Sequence, residues 1–255
     1  MARAALLDTV TRGVVWALAS PRVAGLDRLA GLEPPAIFAA NHTSHVDTPL
    51  LLTTLPPRFR HRSAVAAAAD YFFDRRWKAA LWSFTIHAIP VERSRISRRS
   101  IEEATRLLAG GWSLVIFPEG GRSPDGWARP FRGGAAYLAT HTGVPVVPVH
   151  VEGTHRILPR SGRHLRPGST RVTFGAPMRA GQGEDTRAFA CRIEEAVAVL
   201  ADERASDWWS ARRRAAARST PPLSGPAAGD WRRAWELDAP RATPRPQNDS
   251  GSWAL

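Results

Sequence analysis

From Ala36 onward the chain alternates short apolar runs with stretches of helical period. The runs AIFAA from Ala36, SAVAA from Ser63, IHAIPV from Ile86, WSLVIF from Trp112, VPVVPVHV from Val144 and TRVTF from Thr170 are predicted strands. Several are apolar at successive positions, as strands covered on both faces must be. Between them the spacing predicts helices over about Val46 to Leu55, Tyr71 to Phe84 and Gly133 to His141. Ser100-x-x-Glu103 reads as a capping box opening a further helix that ends at Gly110-Gly111. Phe189, Ile193, Val197 and Leu200 set out the apolar face of a closing helix. Strands separated by helices predict an α/β fold with a mostly parallel central sheet flanked by helices.

The two ends of the chain read differently. Over residues 1–31, Leu6, Leu7, Val10, Val14 and Leu18 recur at helical spacing with Arg3, Asp8 and Arg12 off that face. This predicts an amphipathic helix and a linker, packed on the core or lying in a membrane interface. Residues 32–205 form the expected single domain. Residues 206–255 hold Trp208, Trp209, Trp231, Trp235 and Trp253, five of the ten tryptophans, together with Arg212, Arg213 and Arg214. Such a tail either wraps the domain with Trp anchors or sets Trp and Arg at lipid headgroups, and its last dozen residues are expected to be disordered.

Composition narrows the setting. With 255 residues, 44% hydrophobic, 23% charged and a mean hydropathy of −0.25, the chain is globular and can bury a sizeable core. It has no apolar run of 18 residues, so membrane contact is expected from the surface. Asp8, Arg12 and the lack of a small-residue cleavage site argue against a signal peptide. The lone Cys191 excludes an internal disulfide and any Cys-based metal cluster, which suits the reducing, cytoplasmic side of a membrane. The net charge is +12, with Lys78 the one lysine among 35 basic residues. Arginine in such excess favours an anionic partner such as a phosphorylated substrate, acidic lipid, acidic carrier protein or nucleic acid.

Candidate chemistry collects where strands end. His42 and Asp47, in NHTSHVD after the first strand, can act as a general base and the carboxylate that orients it. A pair at this spacing arises by chance about 0.4 times in such a composition, so its weight comes from its place after a buried strand. His45 reads as a surface or cap residue, since no third ligand accompanies His42 and His45 as a metal pair. Ser44 lacks a nucleophile elbow and Cys191 sits mid-helix, so no covalent enzyme intermediate is expected. FPEGGRS follows WSLVIF: Gly120 and Gly121 allow close backbone approach, and Arg122 offers a fork for phosphate oxygens. Glu119 either binds a hydroxyl, orients an arginine or faces solvent. Arg93 and Arg95 leave another strand and can share a phosphate or decorate the surface.

These segments, in order and followed by VPVVP, resemble the 1-acylglycerol-3-phosphate acyltransferase (PlsC-like) family of glycerolipid acyltransferases. The matching blocks are His42 to Asp47, Ile89-Pro90 to Arg93, Phe117 to Arg122, and Val144 to Pro148. The resemblance spans roughly residues 33–176 and leaves the Trp-rich tail outside. It implies that His42, assisted by Asp47, deprotonates the hydroxyl of a lysophospholipid acceptor for attack on an acyl thioester. The donor would be acyl-CoA or acyl carrier protein, with no other cofactor and no metal. Arg93, Glu119, Gly120, Gly121 and Arg122 would hold the acceptor. Gly121 stands where the family usually has Thr, which leaves other acceptors open: another lysophospholipid, a glycolipid or a monoacylglycerol. The competing classes are a basic nucleic-acid-binding protein and a catalytically silent membrane-associated protein. Spread-out arginines without a nucleic-acid-binding motif speak against the first, and His42, Asp47 and Glu119 against the second.

Overall fold

The computed structural model describes residues 7–68, 88–91, 98–159 and 164–238. The helix expected over Tyr71 to Phe84, the arginines Arg93 and Arg95, and the disorder expected at the C-terminus fall outside these residues. Seven strands form one sheet: β1 (Pro21–Ala24), β2 (Ile37–Ala40), β3 (Ser63–Ala68), β4 (Ala88–Val91), β5 (Ser113–Ile116), β6 (Val146–Glu152) and β7 (Thr170–Phe174). Their order is β1-β7-β6-β2-β5-β3-β4. The five strands from β6 to β4 are parallel, as the alternation predicts, whereas β7 runs antiparallel to β6 and β1 parallel to β7.

Strand β2 lies at the centre with all four residues buried. Because side chains alternate across a strand, Phe38 and Ala40 enter one apolar layer while Ile37 and Ala39 enter the other. Phe38 meets Phe59 and Phe174 edge-on, with ring centroids 5.2 and 6.2 Å apart. That layer is closed by α1 (Arg12–Ala19), α2 (Asp47–Thr54) and the short α3 (Pro57–Arg60). The opposite layer lies under α4 (Arg98–Ala109), α5 (Gly134–Thr142) and α7 (Thr186–Ala205); the single-turn α6 (Thr154–Ile157) follows β6. Phe189, Ile193, Val197 and Leu200 are all buried along α7, the face that their spacing predicts.

Three expectations change. The stretch read as a linker contains β1, whose four residues PRVA carry no period; it forms by pairing with β7 at the sheet edge. The N-terminal stripe is also rotated. A π-turn over Leu7–Thr11 precedes α1, and its wider turn shifts the phase of the helix that follows. Val15 and Ala19 are consequently buried, while Val10 and Val14 are 60% and 62% exposed. Finally, α4 spans Arg98–Ala109, so Ser100 lies inside the helix, and Glu103 pairs with Arg106 at 2.8 Å.

The C-terminal segment forms α8 (Trp208–Ala216), packed on α7, and α9 (Asp230–Asp238). It does wrap the domain, but arginine and backbone hold it. Arg233 grips Asp125 with bonds of 2.7 and 2.9 Å, Trp127 Nε1 donates to the Arg233 carbonyl, and the Ala128 N–H donates to the Leu223 carbonyl. The described tail tryptophans face outward: Trp208, Trp209, Trp231 and Trp235 are 48%, 72%, 77% and 67% exposed.

Candidate active site

Adjacent parallel strands β6, β2 and β5 end at the same edge of the sheet, where open α/β folds bind ligands. Each delivers one part of a connected group. After β2 comes His42, whose Nδ1 lies 2.9 Å from Asp47 Oδ2. Asp47 opens α2 and is fully buried; its Oδ2 also accepts the Thr43 and Ser44 N–H groups at 2.7 and 2.8 Å. These donors fix Oδ2 as an acceptor, so Nδ1 faces it with a proton, and in the neutral tautomer this selects it is Nε2 that holds the lone pair. Among the described residues no protein group bonds Nε2, and the His42 side chain is 14% exposed. The ring stacks on Phe117, centroids 4.2 Å apart.

Beyond β6 lies Thr154, a residue that no motif singles out. Its hydroxyl donates a short hydrogen bond to Asp47 Oδ1. With that proton committed, Thr154 Oγ1 accepts from the Thr43 hydroxyl at 3.0 Å. The chain of donors therefore runs Thr43, Thr154, Asp47. Gly153 makes the turn possible, since it adopts φ +89° and an added Cβ would lie 2.5 Å from the Ser169 carbonyl oxygen. Asn41 ties the ends of β2 and β6 together, donating to the Val151 carbonyl at 2.8 Å and accepting its N–H at 2.7 Å.

Past β5, Glu119 is not solvated. Only 1% exposed, it accepts the His42 N–H at 2.7 Å and the Arg129 N–H at 2.9 Å, bracing the dyad against the following loop. Burial, opposed by those two N–H bonds and reinforced by nearby Asp47, pushes its carboxyl up to about 8. The buried carboxyl thus holds its proton to a higher pH than an ordinary glutamate does. The Ser123 N–H donates to the His42 carbonyl at 2.9 Å, docking the loop from its other end. Gly120 takes φ +71°, and a Cβ there would approach the Arg132 guanidinium to 3.0 Å. Gly121 has an ordinary φ, and its nearest neighbour would be Arg129 Nη1 at 3.9 Å. Arg122 follows, half-buried.

The fold thus gathers His42, Asp47, Glu119, Gly120, Gly121 and Arg122 at one edge. Ser44 turns away, its hydroxyl donating to the Leu158 carbonyl at 2.8 Å, and Cys191 is exposed on α7. Among the described residues no three His, Cys, Asp or Glu side chains are grouped to hold a metal ion.

The chain resembles known proteins along most of this region. It is 30% identical over 167 residues to a chloroplastic 1-acyl-sn-glycerol-3-phosphate acyltransferase of Arabidopsis thaliana, covering 64% of this chain and 44% of that protein. To a 1-acyl-sn-glycerol-3-phosphate acyltransferase of Pseudomonas aeruginosa it is 28% identical over 184 residues, 71% and 67% of the two chains. The chain thus spans less than half the length of the plant relative. The crystal structure of the 1-acyl-sn-glycerophosphate acyltransferase PlsC from Thermotoga maritima superposes with a TM-score of 0.62 at 24% identity over 76% of each chain, a likeness of fold. The family model described as Acyltransferase matches residues 20–152, more than half of the sequence and every strand except β7, so the chain belongs to the acyltransferase family.

Proposed function

We propose that the protein transfers a fatty acyl group from acyl-CoA or acyl carrier protein to the free hydroxyl of 1-acylglycerol 3-phosphate, giving phosphatidic acid. The observation that carries this reading is the His42–Asp47 pair, oriented by buried donors and keeping Nε2 as a base. Nε2 takes the hydroxyl proton as that oxygen attacks the thioester carbonyl. The carbon–sulfur bond then breaks, and the imidazolium returns its proton to the departing thiolate. Asp47 stabilises the imidazolium between the two steps. A positioned base supplies about 10²–10⁴-fold, and holding the acceptor close supplies much of the rest.

In this proposal Arg93 and Arg122 hold the acceptor's phosphate, Gly120 and Gly121 let the backbone approach it, and Glu119 braces His42 from behind. The protein works peripherally on the cytoplasmic side of a membrane. No helix of the described residues is long and apolar enough to cross one, and α8 and α9 present outward Trp beside Arg212, Arg213 and Arg232. Gly121 favours a second reading, in which the acceptor is another lysophospholipid, a glycolipid or a monoacylglycerol.

The test uses labelled acyl-CoA, then acyl carrier protein, with lysophosphatidic acid, lysophosphatidylcholine and monoacylglycerol as acceptors. Product from lysophosphatidic acid, lost in a folded His42→Ala variant, is expected. Near-full activity of that variant would overturn the mechanism, and product only from another acceptor would replace the substrate.

A further inference from the structure

Toward β1 along the same sheet edge, a cavity of about 490 Å³ opens between β6, β7, the end of α7 and the returning tail. Its size lies within the range of small-molecule sites, about 300–1,000 Å³. Asn41 and Thr43 line it, so it adjoins the backbone that carries His42. Across its wall runs a row of cross-strand partners. Arg22 of β1 pairs in register with Arg171 of β7, and Arg171 with Glu152 of β6. Arg204, from the last turn of α7, reaches over this row to within 3.5 Å of Glu152 Oε2.

Among the described residues Arg204 pairs with Glu152, Arg171 lies beside that carboxylate in register, and Arg22 lies beside Arg171 one strand further out. Among the described residues the other two acidic side chains lining the cavity, Asp202 and Glu236, have arginine partners outside it. Asp202 receives two bonds of 2.7 Å from Arg214, and Glu236 accepts from Arg232 at 3.2 Å. Like charges on neighbouring strands destabilise a sheet. Burial, together with Arg204 and Arg22, lowers the Arg171 pKa from its usual value, with Glu152 opposing. An anion with several acceptor oxygens relieves this crowding, and guanidinium forks match phosphate in shape as well as charge. None of the three arginines belongs to the dyad or to the loop after β5.

We propose that this cavity is a phosphate-binding subsite in which Arg22, Arg171 and Arg204 grip a phosphate monoester carried by one of the two reactants. The naming of reactants rests on the acyltransferase reading; the binding of phosphate does not. Two sources share the chemistry: the nucleotide end of acyl-CoA and the headgroup of the acceptor.

Calorimetry on the full chain with adenosine 3′,5′-bisphosphate and with glycerol 3-phosphate tests binding directly. Arg22→Gln, exposed on the edge strand, is the variant least able to disturb folding, and Arg204→Gln is the second. Each loses charge-assisted hydrogen bonds and should weaken the bound probe about 10–100-fold. If bisphosphate weakens and KM for acyl-CoA rises while KM for the acceptor holds, the subsite serves the donor. The converse pattern on glycerol 3-phosphate and the acceptor assigns it to the headgroup, in place of Arg93 and Arg122. Binding of both probes unaffected by either variant, or no binding by the native protein, would overturn the subsite even with acyl transfer intact. Arginine-dependent bisphosphate binding in a protein that transfers no acyl group would retain the subsite and remove only the acyltransferase reading.

Discussion

Thr154→Val isolates the hydroxyl that completes the Asp47 environment. Valine keeps the shape of threonine, and the site is fully buried, so the substitution removes one donor without opening a cavity. A hydrogen bond to a charged group contributes about 1.5–3 kcal/mol, and the Thr43 hydroxyl, deprived of its acceptor, adds about 1 kcal/mol. The expected loss is therefore about 3 kcal/mol, which for a chain of this size lowers Tm by about 6–12 °C. Activity should fall as well, because Asp47 Oδ1 has no other donor among the described residues and its carboxylate then orients His42 less firmly. If about 1.4–2.8 kcal/mol of the loss reaches the transition state, kcat drops about 10–100-fold with little change in KM. Thr154→Ser, which keeps the hydroxyl, should remain close to the native protein in kcat. Calorimetric melts and initial rates with saturating acceptor check both numbers. A Thr154→Val protein within about 2 °C in Tm and about twofold in kcat would refute the idea that Thr154 holds Asp47.

Glu119 gives a pH signature. Its carboxyl is raised in the fold, so folding takes up a proton; this stability is complete below about pH 4.5 and is lost as pH rises through about 8. Glu119→Gln should flatten the fall in stability between those limits, seen in urea melts at successive pH values, and parallel slopes for the two proteins would contradict it. At acid pH the same variant should cost about 1–2 kcal/mol, since an amide cannot accept both the His42 and Arg129 N–H groups. Gly121→Thr should fold normally, because its Cβ meets nothing closer than 3.9 Å, and it should lower KM for a phosphate-bearing acceptor severalfold in steady-state assays. Trp209→Ala combined with Trp231→Ala should reduce sedimentation with anionic vesicles while leaving Tm unchanged, as both rings are largely exposed.

Much of this arrangement is legible in the sequence because its signals are local. The double-faced burial of β2 and β5 follows from unbroken apolar runs, and the His42–Asp47 bond from five-residue spacing across one turn. What stays hidden depends on pairing between distant segments. β1 has no periodicity and exists through its register with β7. Thr154 looks like any small polar residue after a strand until β6 and β2 prove to be neighbours. Glu119 is a surface residue on propensity alone; the loop that folds back through Arg129 and Ser123 is what buries it. In the N-terminal stripe Val10 and Val14 face outward and Val15 and Ala19 take the buried positions after the wide turn, while Leu18 still packs against the core.

The clasp between Arg233 and Asp125 also has a bearing on how such a chain can diverge. Asp125 lies four residues before Arg129, whose N–H holds Glu119, and Glu119 in turn holds His42. A segment outside the matched acyltransferase region is thus linked to the proposed base, His42, through a handful of bonds. If His42 is the base, replacing or lengthening that segment is expected to change its setting while every motif residue stays the same.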